Sequence, residues 1–101
     1  MGQQALDVFR NCIPLFTALS DTARQDIILL LAEHDRLSVN EIAEQSNLSR
    51  PAISHHLKIL RENHLVIIEQ KGTQRYYSLS LEKSVNQMKQ LIDIVEKECI
   101  L

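Results

Sequence analysis

Two helix-start signals stand eleven positions apart in the middle of the chain: Ser38-Val39-Asn40-Glu41 and Ser49-Arg50-Pro51. The first is a capping box, in which the Ser hydroxyl and the Glu carboxylate each satisfy a backbone N–H across one turn. The second sets a capping Ser before a Pro in the first turn, where no intrahelical donor is lost. Between them there is room only for a short helix to about Gln45 and a turn at Ser46-Asn47, Asn being tolerant of the left-handed conformation of a helix exit. The second helix is expected to run to about Glu62, with Ile53, Leu57 and Leu60 on one face. A short helix, a tight turn and a capped second helix make a helix-turn-helix, here about 38–62. Beyond Asn63-His64 the period changes. Leu65 to Glu69 is rich in β-branched residues, Lys71-Gly72-Thr73-Gln74 is a turn, and Arg75 to Leu79 holds two tyrosines. That is a β-hairpin, a wing over about 65–79.

The flanks read as helix. Residues 3–19 carry Leu6, Phe9, Ile13, Phe16 and Leu19 at three- and four-residue steps. Pro14 is expected to kink this helix or to start a second piece. Ser20-Asp21 opens a helix to about His34, and the run Ile27 to Leu31, apolar nearly all round, marks it as the central buried one. Ser80 is expected to cap a last helix, about 81–101, in which Leu81, Val85, Met88, Ile92, Val95 and Cys99 form a heptad seam. The expected fold is mainly α with a small β-hairpin, in the order α-α-α-α-β-β-α: a winged helix-turn-helix. At 101 residues it is one domain, 1–101. The core is already supplied by the other helices and the hairpin, so the seam points to a second copy, a homodimer through the terminal helices.

The net charge of −2 hides an uneven distribution. Residues 1–49 hold three basic and seven acidic side chains, residues 50–75 five and two, and residues 76–101 three and four. The positive charge therefore sits in the central segment, with His55, His56 and His64 beside it, which fits a phosphate footprint on an acidic body. A recognition helix enters the major groove N-terminus first, so Ser49, Arg50, Pro51, Ser54 and His55 lead. Arg50 can contact guanine in bidentate fashion, and Ser54 and His55 can reach base edges or phosphate. Lys58, with Arg61 in the same row, meets backbone phosphate. His56 lies close to the Ile53-Leu57 face, and anchoring the helix and touching DNA both remain open for it. Lys71, Thr73, Gln74 and Arg75 form a wing tip within reach of phosphate or the minor groove. Of Tyr76 and Tyr77, one is expected on the core and the other outside.

Three segments resemble a known family: Phe16-Thr-Ala-Leu-Ser-Asp-Thr-Ala-Arg24, then Leu48-Ser-Arg-Pro-Ala-Ile-Ser-His-His-Leu-Lys-Ile-Leu60, then Lys71-Gly72 with Tyr76-Tyr77-Ser78-Leu79. Together they are similar to the arsenic-repressor (ArsR) family, over nearly the whole chain, with Ser54 to Leu57 the most specific part. The resemblance implies a dimeric transcriptional repressor that leaves operator DNA when a signal arrives. Its partners would be double-stranded DNA and a second copy of itself; the inducer is not readable. The family's metal-sensing members carry a Cys-x-Cys pair where this chain has Ser38 and Asn40. Others bind zinc through Asp-x-His and a later His on the last helix, which has no His here and whose Asp93, Glu96 and Glu98 are expected to form a solvated acidic face. His34, His55, His56 and His64 offer no i, i+4 pair and no cysteine partner, so neither a metal site nor a cofactor is expected. His64 stands where the family usually has Gly, so Asn63 or His64 must take a left-handed conformation.

Other functions have less to rest on. There is no Gly-rich phosphate loop, paired-carboxylate constellation or activated nucleophile, so an enzyme is not expected. A winged-helix adaptor that binds protein would show exposed Leu, Phe or Met in place of the Arg50, Lys58 and Arg61 row. The longest apolar run, Ile27 to Ala32, is six residues, against about 20 for a membrane span. The start of the chain lacks a secretory pattern, and two cysteines 87 positions apart make no disulfide framework, so the cytoplasm is the expected compartment. Cys12 and Cys99 leave one alternative open: a repressor that responds to oxidant or soft metal through these thiols, against the reading that both are small buried apolar residues.

Overall fold

The computed structural model describes residues 2–98. Five helices and one hairpin follow in the order α1 (Gln3–Leu19), α2 (Thr22–Glu33), α3 (Val39–Glu44), α4 (Arg50–Glu62), β1 (Val66–Lys71), β2 (Gln74–Leu79) and α5 (Glu82–Glu98). This is the winged helix-turn-helix expected from the sequence.

Local chemistry sets the element ends. Asp21 caps α2 by accepting from the backbone N–H of Arg24. At α3 both halves of the capping box form: the Ser38 hydroxyl accepts from Glu41 N at 3.2 Å, and Glu41 Oε1 accepts from Ser38 N at 2.9 Å. Ser49 caps α4 with Pro51 in the first turn. The exit of α4 is a Schellman turn. Leu65 N donates to Leu60 O and His64 N to Arg61 O, and both Leu60 and Leu65 are buried. His64 is the residue that takes the left-handed position, with φ 59°. The hairpin pairs Val66 with Leu79 through Lys71 with Gln74, closing on Gly72-Thr73, with Gly72 at φ 61°. An isolated bridge between Leu37 and Tyr77 ties this wing to the α2–α3 connection.

The core gathers Leu15 and Ala18 of α1, Ile27 and Leu31 of α2, Ile42 of α3, Ile53, Leu57 and Leu60 of α4, and Leu65 and Val66 at the start of the wing. From α5 only Met88 packs against it. Instead α5 lies antiparallel along α1. The Cys12 thiol faces Gln87 O at 3.9 Å, Gln87 Nε2 donates to Asn11 O at 2.9 Å, and Glu98 Oε2 accepts from Ala5 N at 3.1 Å. The protein is 51 Å long, and its radius of gyration of 16.0 Å exceeds the roughly 13 Å of a compact domain of this length.

Five expectations need correction. Pro14 sits inside α1, which runs as one helix from Gln3 to Leu19, so no second piece starts there. The large apolar stripe of α1 is not its buried face: Ala5, Cys12, Leu15 and Ala18 are buried, whereas Leu6, Phe9 and Ile13 are exposed, because small residues let α5 approach closely. In α2, Leu29 is exposed, because it lines an open groove shared with Leu30 and Leu48 instead of entering the core. Ser80 does not cap α5; its N–H donates to Leu65 O, and the first helical carbonyl is that of Leu81, which accepts from Val85 N. Glu98 does not belong to a solvated acidic face: it fills a role at the start of α1, whose Gly2 cap has no side chain to offer.

Candidate nucleic-acid interface

The apolar face of α4 holds it in place. Ile53, Leu57 and Leu60 are buried, so the opposite face is presented outward with Ser49, Arg50, Pro51, Ser54, His55, Lys58 and Arg61 all exposed. The helix thus carries a polar and basic row with no large apolar side chain in it. Arg50 is not loose. Its Nε donates to Asn40 Oδ1 at 2.5 Å, which steers the guanidinium and leaves its terminal nitrogens for another acceptor. The sequence marks Asn40 only as the residue that replaces a metal-ligating Cys, not as a partner of Arg50. Only the packing of α3 on α4 brings it to Arg50, ten positions away, and no local pattern signals that.

The wing comes close to α4. Ser54 shares one polar cleft of about 310 Å³ with Asn40, Thr73, Gln74, Arg75 and Tyr77. Four of the predicted contact residues, from two elements, are therefore gathered at one opening. Lys71 is drawn elsewhere: its Nζ lies 3.4 Å from Glu69 Oε1, which Arg36 also holds at 2.8 Å. Such an exposed pair is worth about 0–1 kcal/mol, so it restrains Lys71 without locking it. The two tyrosines divide as expected in part. Tyr77 packs on the core, while Tyr76 is half-buried, its ring faced by the Arg36 guanidinium at 4.7 Å from the centroid.

His56 departs from the outward row. It is half-buried, and its Nδ1 stands 3.2 Å from Nη1 of Arg24. Arg24, buried at 8% exposure, was quoted in the sequence only as part of a motif. The backbone N–H of Arg24 donates to Asp21 and holds that carboxyl below the usual carboxylate range, with the nearby Arg24 charge adding to the effect.

The proposed interface seam splits in two. Leu81, Val85 and Ile92 are exposed, but Met88 packs on the core of its own chain and Val95 is half-buried. The physical reason is the α1–α5 pairing, which occupies one flank of the heptad. Cys99 lies outside the described residues. Leu6, Phe9 and Ile13 of α1 add three exposed large apolar side chains to the same helix pair. The positions of the family's Cys-x-Cys pair have other work here, Ser38 as a cap and Asn40 as the partner of Arg50. Among the described residues no three His, Cys, Asp or Glu side chains gather as a metal cluster would. Among the same residues no helix is long and apolar enough to cross a membrane.

Comparison with known proteins agrees with this geometry. The profile of the family described as bacterial regulatory protein, arsR family, matches residues 21–67, from the α2 cap into the wing. The transcriptional repressor SdpR of Bacillus subtilis is 40% identical over 82 residues, 78% of this chain and 90% of that protein. Reduced HlyU from Vibrio cholerae superposes with a TM-score of 0.71 at 26% identity, covering 96% of this chain and 98% of that one. A homodimeric winged helix-turn-helix DNA-binding domain from Mycobacterium bovis has a TM-score of 0.70 at 23% identity, over 100% of this chain and 92% of that one.

Proposed function

The chain belongs to the ArsR family of bacterial regulatory proteins, and from that premise we propose that it is a DNA-binding transcriptional repressor whose α4 reads the major groove of an operator. The observation that carries this reading is the outward row of α4. Arg50, held by Asn40, leads into a base edge, with Ser54 and His55 behind it. Lys58 and Arg61 lie further along the helix for phosphate. Thr73, Gln74 and Arg75, across the cleft from Ser54, meet the neighbouring backbone or minor groove.

The working unit is a homodimer. An elongated protomer that leaves Leu6, Phe9, Ile13, Leu81, Val85 and Ile92 exposed on two paired helices has an apolar face suited to a second copy. Two such protomers present two recognition helices to a two-fold operator, in the cytoplasm where the DNA is. The adaptor alternative has no comparable observation, since the α4 face is polar and basic. The thiol-responsive alternative loses ground with Cys12, which is fully buried under Gln87.

The test is a titration of the protein against duplexes recovered from a random-sequence pool and against scrambled versions of them. Preference for the recovered duplex by about 10³-fold or more at physiological salt is expected. Equal affinity for all duplexes would overturn the reading.

A further inference from the structure

Arg24 is the one buried charged side chain among the described residues. A buried charge persists only where its donors are met. The Arg24 Nε donates to Ala18 O at 2.7 Å and Nη2 to Thr17 O at 3.2 Å, both carbonyls at the end of α1. The Nη1 group faces His56 Nδ1 at 3.2 Å and lies 3.9 Å from Asp21 Oδ2. A guanidinium can only donate, so in this contact His56 Nδ1 is the acceptor. One planar fork therefore joins the last turn of α1, the first turn of α2 and the middle of α4. Because the fork is rigid, its directions are fixed together. Rotating α4 against α1 breaks at least one of these bonds.

The two helices so joined have different tasks. On the DNA-binding dimer reading above, on which this inference rests, α1 belongs to the face between protomers and α4 to the face toward DNA. A two-fold regulator must hold its two recognition helices at a separation that matches half-sites about one helical turn, ~34–36 Å, apart. Within each protomer that separation depends on how α4 is set against α1. We propose that Arg24 and His56 are positioning residues that fix the recognition helix to the interface helix and thereby set the half-site spacing the protein accepts. His56 then acts through Arg24 rather than by touching a base.

The experiment uses the full chain and a duplex recovered from a random pool, together with versions of it carrying one base pair inserted or removed between the half-sites. His56→Leu keeps bulk and loses the acceptor; His56→Gln keeps an acceptor in its amide oxygen; Arg24→Lys keeps the charge and loses the fork. His56→Leu and Arg24→Lys should lose about tenfold in affinity for the recovered duplex, the scale of one lost charge-assisted hydrogen bond. Affinity for scrambled DNA should not change. Their preference for the original spacing over the altered ones should largely disappear, and His56→Gln should restore both affinity and preference. Circular dichroism and sedimentation establish that each variant folds and dimerises, and Arg24→Lys carries the test if His56→Leu does not fold. Folded dimeric variants that keep the spacing preference would refute the positioning role alone. So would a His56→Gln protein no better than His56→Leu, or a His56→Leu protein that loses discrimination at a single base pair, which would make His56 a base contact. Failure of the unaltered protein to prefer any duplex would instead take down the DNA-binding reading, and this inference with it.

Discussion

Replacing Ile92 by Glu separates the stability of the protomer from that of the dimer. Ile92 is 58% exposed on α5, so in the isolated chain a charge there costs no desolvation and should change folding stability by no more than about 0.5 kcal/mol. In the proposed dimer the outward part of that side chain would be covered. Full burial of an Ile is worth about 1.5–3 kcal/mol, so its exposed fraction contributes roughly 1–2 kcal/mol, and two-fold symmetry counts it twice. A carboxylate in its place would also be desolvated without a partner, at several kcal/mol more. The loss should exceed about 4 kcal/mol, or roughly a thousandfold in the dimer dissociation constant. Sedimentation velocity at micromolar concentration should find Ile92→Glu as a monomer that still unfolds cooperatively. Its affinity for a two-fold duplex should fall with the dimer. Val95→Asp is a blunter probe, because Val95 is already half-buried within its own chain and its loss mixes the two effects. An Ile92→Glu protein that sediments as a normal dimer would refute the placement of the interface.

Ser38→Ala removes one half of the capping box and should destabilise the protein by about 1 kcal/mol, lowering Tm by about 4–8 °C in a thermal melt. Lys58→Ala should flatten the salt dependence of DNA binding by about one unit, and Lys71→Ala by less, because Glu69 already holds Lys71; equal slopes would contradict that ordering. In a Cys99→Ser background the Cys12 thiol should react with a thiol reagent in the native protein far more slowly than in denaturant, since it is fully buried. Native-state labelling as fast as in denaturant would return the thiol-responsive reading to contention.

Much of the fold was legible because its boundaries are written in local chemistry. Ser38 with Glu41, Ser49 with Pro51, and Gly72 in the hairpin turn each satisfy a backbone requirement within a few residues, so pattern alone finds them. Even the left-handed exit at Asn63-His64 was foreseeable, and the Schellman turn assigns it to His64. The misjudged features depend on which helices meet. Leu6, Phe9 and Ile13 read as a core stripe because periodicity reports an apolar face without saying what covers it; in the protomer the small residues Ala5 and Cys12 face α5 instead. Leu29 follows the same logic on α2. In the candidate site, the outward residues of α4 were readable from the spacing of Ile53, Leu57 and Leu60. Asn40 and Arg24 were not, because each acts on a residue ten or more positions away, Asn40 on Arg50 and Arg24 on His56.

Whether α4 reads bases through Arg50 is decided by one titration. Unaltered protein and Arg50→Ala are compared on the recovered duplex and on the set of its single-base-pair variants, at several salt concentrations. Arg50→Ala should lose about 1–3 kcal/mol on the recovered duplex and no longer discriminate at one base-pair position, while the other positions stay selective and the affinity for scrambled DNA changes little. An Arg50→Ala protein that binds the recovered duplex as tightly as the unaltered chain, with every position still selective, would contradict base reading through Arg50.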